Sequence, residues 1–531
     1  MRLIPETIGA RYSSGTSGII YSPEGRSSFA AVFAGVSALL LAISAYSEAL
    51  GSERSIIPGI MPPIATIDER FQSYNVEMVE VTGGKFWRPY APRASPAPPD
   101  QNLYEYRPPI DLTNSRLRRL AAALSPAYLR VSGTWANSTY FADSDSAALE
   151  PPTGFKSVLN RAQWRGVVDF AQAVDARIVT SFAVNSGPRD AAGIWTPDQA
   201  RRLLTYTRSL GASVAAVEYM NEPTLAAQND APAGYDADAY GRDFRIFREF
   251  VKQAFPETLI VGPGSIGESF SGSVSNLKTS DLLAASGRGV DVFSYHHYGT
   301  VSPRCGGRDN SDEVLSEARL SRTDNTLAFY RALRDQFEPG KPLWLTETAD
   351  AACGGDEWDA TFLDTFRYLD QLGRLAKAGV QVIMHNTLTG SDYGLLAERT
   401  FDPRPNYWGA LLWHRLMGTT VLDPRASAQS GLHVYAHCTP GRPGGVSVLA
   451  INTSRNASRA LTLPNASERY TLHASRLQNK TVQLNGRTLA LGVNNALPSI
   501  TATAAPAGVV RFAPATITFL AIPAAANSAC H

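Results

Sequence analysis

From about residue 60 to 415 the chain alternates short apolar runs with longer amphipathic stretches. The apolar runs are Ile64–Asp68, Ala127–Ser132, Arg177–Val184, Ala215–Met220, Leu259–Gly262, Val290–Tyr295, Pro342–Thr346 and Val380–Asn386. Most are apolar on both faces, as in parallel strands covered on both sides. Between them Ser115–Leu124, Asn160–Val174, Pro197–Leu210, Tyr240–Ala254, Arg322–Asp335 and Asp359–Ala378 read as helices. Thr196-Pro197 and Ser311-Asp312 have the residue types of helix starts. Eight strands alternating with helices predict an α/β fold, a (β/α)8 TIM barrel. An open doubly wound sheet is the alternative, but no Gly-x-Gly-x-x-Gly turn follows an early strand.

After about residue 418 the helical period fades. Leu432–His437, Gly445–Asn452, Tyr470–His473, Thr481–Leu484, Val509–Phe512 and Thr516–Ile522 are short alternating runs between Asn-, Gly-, Ser- and Pro-rich turns. That pattern predicts a C-terminal antiparallel β-sandwich. The expected division is a barrel over 53–417 and a β-sandwich over 418–531. The stretch Trp87–Gln101, with five prolines counted between 89 and 99, reads as a loop on the barrel rim.

A length of 531 residues agrees with two domains. Hydrophobic residues make up 44% and charged residues 18%, which excludes a disordered chain. The net charge of +1 gives no global basic field for nucleic acid. Phe29–Tyr46 is uncharged and apolar behind Arg26, and reads as an export signal or a single membrane anchor. Residues 1–52 are therefore expected to lie outside the fold, and the protein to be secreted or periplasmic. Export makes the four cysteines interpretable. Cys305 and Cys353 each follow a barrel strand, and Cys438 and Cys530 bracket the C-terminal segment. Disulfides Cys305–Cys353 and Cys438–Cys530 are favoured over four free thiols. Five Asn-x-Ser/Thr matches, at Asn137, Asn452, Asn456, Asn465 and Asn479, matter only in a eukaryotic secretory pathway.

Two glutamates carry the candidate chemistry. Glu222, in Asn221-Glu222-Pro223, and Glu347, in Leu-Thr-Glu347-Thr, each close a strand-like run. Carboxylates at the carboxyl ends of two barrel strands are the equipment for cleaving a glycosidic bond. Glu222 reads as general acid/base beside a sugar-binding Asn221, and Glu347 as nucleophile. A salt-bridged rim carboxylate is the bland reading of either one alone. In Ser294-Tyr-His296-His297-Tyr298, adjacent strand residues point to opposite faces, so the histidines do not share an ion. A wall around the nucleophile, with no metal, is the expectation. Gly354-Gly355 reads equally as an anion-binding loop or as a hinge. Tyr393 follows the eighth strand on the same rim.

These residues together resemble the heparanase and β-glucuronidase family, glycoside hydrolase family 79, over most of 60–425. The motifs are Leu124-Ser-Pro-Ala-Tyr-Leu-Arg130 with Gly133-Thr134, His296-His297-Tyr298, and Trp344-Leu-Thr-Glu347-Thr with Gly354-Gly355. Tyr393-Gly-Leu, Phe401-Asp-Pro-Arg-Pro-Asn-Tyr-Trp408 and Gly418-Thr-Thr-Val complete the set. The resemblance implies a retaining β-glucuronidase that needs no cofactor and acts on a glucuronic-acid-containing glycan. Its glycone subsite would use Asp68, Thr134, Tyr298 and Tyr393, with Gly354 and Gly355 cradling the uronic carboxylate. A clan A β-glycosidase for a neutral glycan such as a β-xyloside is the alternative. Unlike vertebrate heparanases, the chain has no long excised segment before Asn160 and no extended basic runs. Lys156, Arg161 and Arg165 are the nearest to one.

Overall fold

The computed structural model describes residues 55–90, 103–145, 150–269, 275–308, 310–426 and 430–531. The apolar run Phe29–Tyr46 and the prolines at 92–99 lie outside the described residues. Eight parallel strands close a barrel in chain order. They are β1 (Gln72–Glu77), β2 (Ala127–Ser132), β3 (Ala176–Ser181), β4 (Val214–Glu218), β5 (Leu259–Ser265), β6 (Val292–Val301), β7 (Leu343–Ala352) and β8 (Val382–His385). Seven of them overlap the runs expected from hydrophobicity. The first does not. Pro63–Thr66 pairs antiparallel with Thr420–Leu422 in the other sheet, and the barrel opens with Gln72–Glu77 instead. Of the span 53–417 expected for the barrel, the second sheet takes one strand, Pro63–Thr66, while its partner Thr420–Leu422 falls in the expected second domain.

Helices alternate with the strands. Asn160 caps Arg161–Ala173 reciprocally with Gln163, and Asp236 caps Ala237–Ala254 through the N–H of Ala239. Thr279–Ser286 and Pro405–Leu416 are helices that the periodicity did not reveal. Ser311-Asp312 opens a turn, and the next helix starts only at Glu317. Among the described residues no helix is long and apolar enough to cross a membrane.

The barrel interior is divided by height. Tyr128, Val179, Ala216, Val261, Val292, Trp344, Val382 and Met384 form an apolar plug, with the rings of Tyr128 and Trp344 4.8 Å apart. Nearer the carboxyl ends the inward positions become polar, and Asn75, Glu77, Arg130, Glu218 and His296 are all buried there. Such residues persist in a core only when they partner one another or a ligand.

The second domain is a nine-stranded sheet with Pro63–Thr66 at one edge. Its central strand Val446–Asn452 alternates faces. Leu449 and Ile451 join the core shared with the barrel helices, while Val446, Val448 and Ala450 pack with Leu461, Leu463, Val510 and Phe512 of a two-stranded ribbon. Gly373 on helix Phe362–Lys377 lies flat against Tyr435, where a Cβ would fall 2.4 Å from the ring. The sheet rests on the barrel there, and the Tyr435 hydroxyl donates to Asp370 at 2.6 Å. The disulfides are Cys305–Cys353 and Cys438–Cys530, and the described residues hold no free cysteine.

Candidate active site

Glu347 is the fifth residue of β7, paired in register with His296 on β6. Glu222 lies in the turn after β4, ahead of the short helix Pro223–Leu225. Its backbone is left-handed (φ 49°, ψ 63°), a costly conformation outside glycine and one that collects at functional sites. Both side chains are buried, with 7% and 6% of their residues exposed. One oxygen of each carboxylate and a His296 nitrogen lie within 4.8 Å of one another.

The two carboxylates have different surroundings. Glu347 accepts from Arg130 Nη1 at 2.9 Å and from the Tyr298 hydroxyl at 2.7 Å. A buried guanidinium and a phenol both stabilise its anion. Burial and the Glu347 charge push the Tyr298 hydroxyl well above its ordinary range, so it keeps the proton it donates. Glu222 accepts at 3.3 Å from Asn229 Nδ2 and faces His296 Nδ1 at 3.0 Å. Burial pushes its carboxyl from 4.5 to about 7, against the opposing pull of Asn229 and Arg130. Glu222 therefore holds a proton near neutral pH.

Arg130 on β2 organises the site. It reaches Glu218 at 2.8 Å, Glu347 at 2.9 Å and the Asn221 side-chain oxygen at 2.7 Å. Its Nη2 also approaches His296 Nε2 at 3.4 Å. An arginine N–H only donates, so Nε2 accepts and the ring proton sits on Nδ1, directed at Glu222. Burial pulls the His296 pKa down to about 4, leaving a neutral ring at working pH. The three groups Glu222, His296 and Glu347 have the spacing of cation ligands. The guanidinium of Arg130 already supplies the positive charge at that point. His297 faces the other way, with Nδ1 2.9 Å from Thr326 on helix Arg322–Phe337.

Glu222, Glu347, Thr134, Tyr298 and Tyr393 line one cleft of about 790 Å³. Asn221 and His296 lie buried beneath it, with the Asn221 side-chain nitrogen unpartnered. Asn137, one of the Asn-x-Ser/Thr matches, is fully buried. It clamps the Asn221 backbone from both sides, at 2.9 and 3.0 Å, which leaves no room for a glycan. Gly354 and Gly355 have φ of 80° and 91°. A Cβ on them would meet Trp87 at 2.5 Å and Asp359 at 2.6 Å, so no larger residue fits. The disulfide at Cys353 holds this loop against the one carrying Cys305.

Of the loop that carries Gly354 and Gly355 only the preceding Cys353 lines the cleft, and the expected site residue Asp68 is placed away from the cleft altogether. It precedes β1 and accepts from the Arg70 backbone N–H at 2.7 Å, close to Tyr128 and Arg177 at the amino ends of the strands. The carboxylate at the carboxyl end of β1 is Glu77. Burial and the Glu347 charge raise its pKa well above the ordinary range. Gly133 (φ 90°) lies flat on it, where a Cβ would be 1.6 Å from Glu77 Oε2. Sequence reasoning also passed over Asn386, whose Nδ2 donates to Tyr298 at 2.9 Å.

Residues 109–373 match the family model described as Glycosyl hydrolase family 79, N-terminal domain. Heparanase-like protein 1 of Arabidopsis thaliana is 29% identical over 384 residues, covering 67% of this chain and 67% of the relative. Heparanase of Bos taurus is 28% identical over 450 residues, covering 73% and 80%. Baicalin-beta-D-glucuronidase of Scutellaria baicalensis is 30% identical over 282 residues, covering 50% and 51%. Among solved structures, a 4-O-alpha-L-rhamnosyl-beta-D-glucuronidase from Fusarium oxysporum 12S matches with a TM-score of 0.60 at 14% identity, over 87% of this chain and 98% of that one. That last likeness is one of fold alone. Barrel, paired carboxylates and relatives together define a glycoside hydrolase. The chain belongs to glycoside hydrolase family 79.

Proposed function

We propose that this enzyme is a retaining, heparanase-like β-D-glucuronidase that hydrolyses β-glucuronosyl linkages by double displacement. The observation that carries the reading is the unequal pair: a proton-holding Glu222 and a charge-stabilised Glu347, with oxygens within 4.8 Å. Retaining glycosidases hold the two carboxyls about 5–5.5 Å apart, inverting ones at least ~6.5 Å. Glu347 attacks the anomeric carbon while Glu222 protonates the leaving oxygen. Glu222 then takes a proton from the water that displaces Glu347. Asn221 reaches a hydroxyl of the bound sugar through its unpartnered amide. Tyr298, Tyr393 and Glu77 line the glycone, Thr134 borders it on the side of Asn229 and the proton donor, and the Gly354-Gly355 loop receives its carboxylate.

The test compares an aryl β-glucuronide with aryl β-xyloside and β-glucoside, and follows the first-formed anomer by NMR. Fastest turnover of the glucuronide with release of the β-anomer is expected. Release of the α-anomer overturns double displacement. Faster turnover of a neutral glycoside overturns the uronide. The neutral-glycan reading draws on one observation: among the described residues, the only cationic side chains lining the cleft are Lys85 and Lys156. The proposal extends to a secreted or periplasmic location, with Phe29–Tyr46 as signal or anchor. Two disulfides suit an oxidising compartment. Recovery of the active enzyme from cytosol with four titratable thiols would exclude it.

A further inference from the structure

The cleft carries an aromatic strip that the double displacement does not use. Trp87 and Tyr104 face each other across the hairpin Gly84–Trp87/Tyr104–Arg107, with centroids 4.6 Å apart. Tyr104 meets Trp135 edge-on at 6.4 Å. All three rings line the cleft that holds Glu222 and Glu347, and all three are only partly buried. The strip has a direction. Trp87 touches Gly354, on the loop proposed above to receive the glycone's carboxylate. Trp135 adjoins Thr134, whose hydroxyl is 3.4 Å from the Asn229 side-chain oxygen, and Asn229 in turn donates to Glu222. The Trp135 end therefore lies beside the proton donor, where the leaving group departs.

Charge at that end is balanced. Lys156 is paired with Asp230, the residue after Asn229, and both line the cleft. Lys85, the other cationic side chain on the cleft, is exposed on the hairpin. A sulfated sugar needs unpaired, converging cations, above all arginine forks. Among the described residues no arginine lines the cleft.

We propose that Trp135 and Tyr104 form the leaving-group subsite, and that it takes a neutral leaving group with a flat apolar face by stacking. An aryl group and the face of an unsulfated pyranose share that chemistry. The inference rests on the glycosidase reading above and assigns specificity to a wall outside the glycone. Rings stack offset or edge-on, and removing one partner loses both that preference and its buried area.

The experiment measures kcat/KM of wild type, Trp135→Ala, Trp135→Phe and Tyr104→Ala on 4-nitrophenyl and methyl β-glucuronides. Trp135→Ala is expected to lower the aryl value about tenfold and leave the methyl value within about twofold, as loss of one stacking partner predicts. Trp135→Phe restores most of the loss. Equal losses on both substrates mean a structural role and overturn the proposal. Glucuronosyl-hexosamine disaccharides with and without sulfate on the hexosamine separate the two leaving-group chemistries. The unsulfated one is expected to be cleaved at least as fast, and a requirement for sulfate overturns the proposal. If wild type cleaves only neutral glycosides, the glucuronide reading fails by itself. The aryl-to-methyl ratio, measured on xylosides, then decides the stacking wall independently.

Discussion

Replacing Glu222 with glutamine is expected to remove catalysis and at the same time to stabilise the protein, but only above a defined pH. The Glu222 carboxyl titrates at about 7 in the folded protein against 4.5 for a free glutamate, and burial is the main cause. That displacement corresponds to about 3 kcal/mol, at ~1.4 kcal/mol per pH unit. Below pH 4.5 the group is protonated whether folded or unfolded, and its environment has no effect on stability. Between 4.5 and about 7 the unfolded chain ionises first, so stability is lost progressively as pH rises. Above about 7 both states are ionised and the folded state bears the full cost. Glutamine never ionises. It keeps an oxygen for His296 Nδ1–H but sets an amide against Asn229, at a cost of about 1 kcal/mol. Glu222→Gln is thus expected to be no more stable than wild type at pH 4, and more stable by about 2 kcal/mol at pH 8. Guanidinium unfolding midpoints of both proteins, from pH 4 to 8, measure the difference. A gap that stays constant with pH, or a variant less stable at pH 8, refutes the assignment of Glu222 as the proton-holding partner.

Glu347→Gln is expected to abolish turnover of an aryl β-glucuronide while leaving the circular dichroism spectrum unchanged; near wild-type rates would remove it as nucleophile. Arg130→Met strands Glu218 and Glu347 as buried acids without their cation, and loss of one partner of a buried pair costs about 3–5 kcal/mol. A fall in both melting temperature and kcat is expected, and an unchanged melting temperature contradicts the central place given to Arg130. The disulfides separate by function. Cys305→Ser/Cys353→Ser frees the residue next to Gly354 and is expected to raise KM several-fold, whereas Cys438→Ser/Cys530→Ser, remote from the cleft, lowers the melting temperature at unchanged KM. Equal KM in the two double variants counts against a glycone role for the Gly354-Gly355 loop.

The barrel was legible wherever its strands are apolar on both faces. β2 is bounded in the structure as its hydrophobicity predicts. β1 escaped because four of the six residues in Gln72-Ser-Tyr-Asn-Val-Glu77 are polar although every residue is buried. Its inward positions serve the site instead of the plug, so a hydrophobic period cannot find it. The neighbouring Pro63–Thr66 run looked the better strand and is one, in another sheet. That single displacement also puts Glu77, and not Asp68, at the carboxyl end of the first barrel strand and in the cleft. Glu222 and Glu347 stood out because each follows an apolar run. Arg130 did not, since its partners lie 88 and 217 residues away and meet only when the barrel closes. A signal was present nonetheless: an arginine inside an otherwise apolar strand is rarely buried without anions to match.

Strand Pro63–Thr66 has a consequence for the order in which the molecule can be made. Its hydrogen-bonding partner, Thr420–Leu422, lies beyond the whole barrel in the chain. During synthesis the segment that enters first stays an open edge until the last barrel helix has been completed, and an unpaired strand is a template for the wrong partner. The exposed Pro63, at the start of that strand, lacks an N–H and blunts the edge while it waits. A fragment cut after residue 417 would keep the barrel strands yet leave this clasp unfastened. Catalytic barrel and sheet are in this sense a single folding project, closed by a seam three residues wide.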